Sequence, residues 1–225
     1  MNIVKLIGAI SAPPVLEEID FGGRKSPKLR FLVAAAYEGF DGQPRQWRHS
    51  VEIIGNTAPT LASTITAGSL VLVTGSLNVR PFKNRTTGLD DIAYDIKGQN
   101  VMPVSATLTN VTRRDDGSYV ADETIINEIE IAGNLTAAPY SGPDGDTAHP
   151  TVLSVGVPDI RSTKNHVDVI KAKTWDADVA AQYDNLFERS LVLVQGMLLS
   201  EYHRDEATGR ESGGPYIRIL KGGKL

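Results

Sequence analysis

Ser69-Leu70-Val71-Leu72-Val73-Thr74-Gly75-Ser76-Leu77 returns as Ser190-Leu191-Val192-Leu193-Val194-Gln195-Gly196-Met197-Leu198, seven of nine residues identical at a spacing of 121. Each copy is an apolar, β-branched run that reads as a mostly buried strand. The glycine inside it marks a bulge or bend, where a sheet curls or another backbone comes close.

The flanking sequence repeats too. Asn2 to Ile10 and Asn127 to Leu135 line up at a spacing of 125, with Gly8 falling on Gly133. The first strand is followed by loop-like sequence with Gly22-Gly23 and Pro27, then by a strand over Leu29–Ala36. A turn at Gly39–Pro44 leads into a strand over Trp47–Ile54. Asn56 is positioned to cap a short helix bearing Leu61 and Ile65, with Gly68 as its stop. The glycine strand (Leu70–Val79), a polar loop from Pro81 to about Asp91 and a last strand within Val101–Thr112 complete the first copy.

In the second copy, strands over Thr151–Val157 and Val167–Thr174 precede a helix capped by Asp176. Val179, Tyr183, Leu186 and Phe187 form the apolar face of that helix. The second glycine strand follows, then a polar loop from His203 to Gly214 and a closing strand over Tyr216–Leu220. Strand, strand, strand, helix, strand, strand is the order of an OB-fold, a curled five-stranded barrel. The reading is therefore all-β with one short helix per domain: two tandem OB-folds over 1–118 and 127–225, joined by a connector at 119–126.

Composition narrows the function classes. The 225 residues are 41% hydrophobic and 22% charged, as in a folded protein. There is no cysteine, and His49, His149, His166 and His203 are scattered, so neither a thiolate nor a metal centre is expected, nor any cofactor. No apolar run reaches the roughly 20 residues needed to span a bilayer and no signal-peptide layout opens the chain, so a cytoplasmic address is expected. Asn-x-Thr triplets at Asn84, Asn110 and Asn134 are then chance matches. Asp90, Asp91 and Asp95 cluster without a nucleophile–base pair or a phosphate-cradling loop. They read as decoration of a solvated loop, and no enzyme is expected. Net charge is −4, yet residues 1–122 hold 13 basic against 12 acidic side chains and residues 123–225 hold 10 against 15. The first half is the expected place for phosphate.

Asn2 to Gly8, Trp47-Arg48-His49-Ser50-Val51-Glu52-Ile53-Ile54-Gly55 and Gly68 to Arg80 resemble the bacterial single-stranded DNA-binding proteins across most of residues 1–112. The second half is similar in its first strand, helix and glycine strand. The resemblance implies four folds acting together, hence a homodimer of this two-fold chain. It also implies roles in DNA replication, recombination or repair. Three departures stand out. The chain ends Ile217-Arg218-Ile219-Leu220-Lys221-Gly222-Gly223-Lys224-Leu225, without the family's acidic tail, which puts recruitment of replication or repair proteins by that route in doubt. Trp47 sits one residue out of phase with the family's tryptophan and needs a bulge to face the same way. Position 54, often aromatic in the family, is Ile.

Sequence-tolerant binding of unpaired strands needs flat rings for bases and cations for phosphates. Phe82 lies where the family has an aromatic residue, flanked by Arg80, Lys83 and Arg85. Trp47 beside Arg45 and Arg48 is either a platform or a packing residue. Phe40 and Tyr37 flank the turn, with a core role expected for Tyr37. In the second copy Trp175, Tyr202 and Arg204 are candidates, and Lys171 and Lys173 share one strand face. Tyr183 and Phe187 read as core. The leading expectation is sequence-independent binding of single-stranded DNA, with a shallow salt dependence. The alternative is a tandem OB-fold adaptor for protein assembly; a split role, with the second fold making the dimer, fits both.

Overall fold

The computed structural model describes residues 1–21, 23–39, 42–83, 88, 90–141, 149–158, 167–204 and 211–225, excepting the side chains of 21, 90, 201–204 and 211–213. The elements in order are β1 (Asn2–Ile10), β2 (Val15–Phe21), β3 (Arg24–Glu38), β4 (Pro44–Ile54), α1 (Thr57–Thr64), β5 (Leu70–Lys83), β6 (Asp90–Pro103), β7 (Val111–Arg113) and β8 (Tyr119–Ala121). They continue with β9 (Ile126–Leu135), β10 (Thr151–Pro158), β11 (Val167–Thr174), α2 (Ala177–Ala181), β12 (Leu191–Arg204) and β13 (Glu211–Lys224). Two compact units result. One holds Val4–Asn78 with Tyr94–Asn127; the other holds Glu128–Leu225 with Met1–Ile3 and Val79–Ala93.

Each copy closes a ring of five strands. In the first, β1 pairs antiparallel with both β5 and β3, β3 with β4, and β4 runs parallel to β6, which neighbours β5. In the second, β9 pairs with β12 and β10, β10 with β11, and β11 runs parallel to β13, which pairs with β12. The registers agree residue for residue. Val4↔Gly75 and Leu6↔Val73 in one ring match Ile129↔Gly196 and Ile131↔Val194 in the other. The expected tandem OB-folds are present, each barrel filled by the inward side of its alternating strands.

The glycines show why the ring closes where it does. A Cβ at Gly75 would run into Lys97 O, and one at Gly196 into Arg218 O, the same contact at the same point of each barrel. A Cβ at Gly8 would meet Ala34 O at 2.9 Å, and one at Gly133 would meet the matching Gly156 O. The register of β12 against β13 shifts between Gln195 and Gly196, the bulge the mid-strand glycine leads one to expect.

Several sequence expectations are corrected. The loop-like stretch before Leu29 is a β2–β3 hairpin, turned at Gly23 (φ 77°), whose amide donates to Asp20 Oδ1 at 3.0 Å. The closing strand of the first copy is β6, largely before the expected Val101–Thr112, and it buries Asp95 to 3% exposure where a solvated loop was expected. Strand β12 runs to Arg204 and β13 starts at Glu211, so both ends of the expected loop from His203 to Gly214 are strand, and its middle, 205–210, lies outside the described residues. Asn56 is helical (φ −64°) and its side chain makes no capping bond, whereas Asp176 caps α2 as expected, accepting from Asp178 N and Val179 N at 2.9 and 3.0 Å. Helix α2 stops at Ala181, so Tyr183 is buried as expected but Phe187 is 66% exposed, not core.

Tyr183 donates its hydroxyl to Leu193 O at 3.2 Å, and a Cβ at Gly222 would strike that hydroxyl. Burial pushes the Tyr183 phenol up to about 12. The folded chain thus keeps this proton at pH values where the unfolded chain, titrating near 10, has lost it. Stability present below pH 10 is expected to fall by about 2 kcal/mol between pH 10 and 12, and urea titrations should show this fall missing in Tyr183→Phe. Gly75→Ala and Gly196→Ala should each cost at least roughly 1–3 kcal/mol by overpacking, read as a lower urea midpoint with the dissimilar Gly23→Ala, which meets no atom within 4 Å, as a turn-strain control.

Candidate nucleic-acid interface

Trp47 is built into the first barrel. The β3–β4 register runs unbroken from Lys28↔Ile54 to Glu38↔Pro44. Without the bulge expected from the family phase, strand alternation turns Trp47 inward beside His49 and Val51. It is 1% exposed, stacks on His49 with centroids 5.1 Å apart, and donates Nε1–H to Thr124 Oγ1 at 2.8 Å. Thr124 in turn donates to Ala36 O at 2.6 Å. Of the two expected roles, platform or packing residue, Trp47 has the second, and it clasps the chain beyond β8 to its own barrel.

Arg48 faces the other way but is engaged. Its Nη2 donates to Ser118 Oγ at 3.0 Å and lies 3.7 Å from Asp116 Oδ2. The Ser118 hydroxyl and amide bonds, with Arg48 adding its charge, hold the Asp116 carboxyl below the usual carboxylate range. This network fixes the β7–β8 turn, just before the expected connector at 119–126. Arg45 is exposed opposite half-buried Tyr37, which only partly meets its expected core role. Phe40 and Arg85 lie outside the described residues.

Where β5 runs past the barrel, Phe82 is 36% exposed with the Arg80 guanidinium carbon 6.0 Å from its ring centre, and Arg80 and Lys83 are exposed. A ring beside two cations is what a stacked base and its phosphate require. In the second copy Lys171 is exposed and Lys173 half-buried on one outer face of β11, as the alternation requires. Lys173 Nζ sits 4.6 Å from the Tyr216 ring centre, and half-buried Trp175 meets Tyr216 edge-on at 6.1 Å. Tyr216 was missed because it opens an apolar run that reads as plain core. Tyr202 and Arg204 are on β12, with side chains outside the described set.

The barrels, their matched registers and these ring–cation groups define a tandem OB-fold protein with exposed features suited to unpaired polynucleotide. The single-strand binding protein family matches residues 1–104. A single-stranded DNA-binding protein from Thermosynechococcus vestitus is 32% identical over 90 residues, covering 40% of this chain and 71% of the relative. The chain belongs to the single-strand binding protein family. In fold it is similar over its whole length to the wild-type single-stranded DNA-binding protein of Thermus aquaticus (TM-score 0.68, 18% identity, 93% of that chain covered). A deletion mutant of the same Thermus aquaticus protein gives TM-score 0.68 at 19% identity over 94% of its chain.

Trp47→Phe deletes the bond to Thr124 and part of a buried ring. It is expected to cost roughly 1–3 kcal/mol, seen as a lower urea midpoint, and to leave the Trp175 emission in place.

Proposed function

We propose that this chain binds single-stranded DNA without reading its sequence, holding strands unpaired during replication, recombination or repair. The observation that carries the reading is the Arg80–Phe82–Lys83 group, exposed at the end of a barrel strand in a member of this family. Rings contribute about 1–3 kcal/mol per stacked base, and every base offers a face, so binding tolerates any sequence. Cations at the rim set the path of the backbone. The protein performs no chemical step. Its working unit is a homodimer of four folds, with domain limits at 1–118 and 127–225. Among the described residues no helix is long and apolar enough to cross a membrane; a cytoplasmic location, at the nucleoid, suits the reading.

Titration with dT oligomers tests it. Micromolar or tighter binding at low salt is expected, with Phe82→Ala weakening it roughly 5-fold or more. Arg80→Gln and Lys83→Gln should each lower the slope of log affinity against log salt by about 0.7. Tryptophan quenching should persist in Trp47→Phe, whose ring is buried, and vanish in Trp175→Phe. No binding at low salt would refute the proposal.

A further inference from the structure

The two barrels agree inside and differ along one outer row. In the second copy Tyr140 forms an isolated bridge with Val152, its amide donating to Val152 O at 3.0 Å and its carbonyl accepting from Val152 N at 2.7 Å. Val152 is opposite Lys173, and Lys173 is opposite Arg218. Residues directly opposed on neighbouring strands project from the same face. Tyr140, Val152, Lys173 and Arg218 therefore form one lateral row. Tyr140 is 66% exposed, held by its two backbone bonds to Val152, while the other three are half-buried.

The first copy has the same row with other residues. Val15 is opposite Arg30, Arg30 opposite Glu52, and Glu52 opposite Lys97. Glu52 and Lys97 stand 121 positions before Lys173 and Arg218, the spacing of the glycine strands. At the centre of the row Arg30 and Glu52 stand where the second copy has Val152 and Lys173, so an adjacent cation and anion take the place of one cation. Glu52 is also committed locally, with Lys28 Nζ at 2.7 Å, and Lys28 reaches Glu17 at 3.7 Å. The rings differ as well. Where the second copy has Tyr140, Trp175 and Tyr216, the first has Val15, Ile54 and Asp95. Ser50 stands where the second copy has Lys171.

We infer that the two copies bind unevenly: the outer face of the second barrel, with Tyr140 as an added base-stacking residue across Val152 from Lys173, holds the strand, and the matching face of the first barrel does not. The inference rests on the single-stranded DNA reading and refines it. It runs against the charge totals, which point to the first half. Net charge is a sum over a whole surface, whereas a bound phosphate meets only the row in front of it. The stretch Val79–Ala93, which carries Phe82, belongs to the same compact unit as this face.

Tyr140→Ala is expected to weaken dT binding roughly 5- to 150-fold, the effect of one lost stack, and Tyr140→Phe to stay within about 2-fold of the unsubstituted chain. Lys173→Gln should lower the salt slope by about 0.7. The matched first-face variant, Val15→Ala with Ile54→Ala, should bind as the unsubstituted chain does. Ultraviolet crosslinking of the unsubstituted chain to iodouridine-substituted dT oligomers, mapped by mass spectrometry, reads the same question without a substitution. Crosslinks at Tyr140 or Trp175 support the inference. Unchanged affinity in Tyr140→Ala, equal losses from the two faces, or crosslinks centred on Val15 and Ile54 overturn it. A chain that binds no dT at all removes the function reading itself, and this inference with it.

Discussion

Two pairs of close backbone approaches hold this structure in its shape. The carbonyl of Lys97 lies where a Cβ of residue 75 would be, and the carbonyl of Arg218 where one of residue 196 would be. Gly8 and Gly133 admit the carbonyls of the neighbouring strands β3 and β10 in the same way. A sheet of five strands becomes a barrel only by bending sharply, and the bend brings one strand's carbonyl over its neighbour. Only glycine leaves the room. The antiparallel registers of β1 with β5 and of β9 with β12 follow from placing these glycines.

Much of this was legible in the sequence because it is written twice. The repeated glycine strands, the helix after the third strand and the strand at Val167–Thr174 all stand where alternation and spacing put them. What escaped has physical causes. The β2–β3 hairpin looked like a loop because Gly22-Gly23 and Pro27 are turn residues, yet Pro27 needs no donated bond at its place beside Glu18. β6 was misplaced because Asp90, Asp91 and Asp95 mask its alternation, although Asp95 is buried. Phe187 continued a helical pattern beyond a helix that ends after five residues.

The candidate site was legible as residue types and not as faces. Trp47 and Arg48 are neighbours in sequence and point to opposite sides of β4, one sealed against His49 and Thr124, the other engaged with Ser118 and Asp116. A single bulge decides which of the two faces outward, and nothing in the sequence announces its absence. Phe82 with Arg80 needed no such decision, since both lie past the barrel's end. Interior positions are bound by close packing in both copies, while outer positions are free to diverge, and Glu52 against Lys173 shows that divergence.

Strand β2 has a consequence of its own. Among the described residues it pairs only with β3, so its other margin is a row of backbone groups of the kind that recruits foreign strands. That margin bears Glu17, Glu18 and Asp20 within seven residues. Two such margins brought together would set carboxylate against carboxylate. Charges of this kind along an edge strand keep neighbouring molecules from fusing edge to edge.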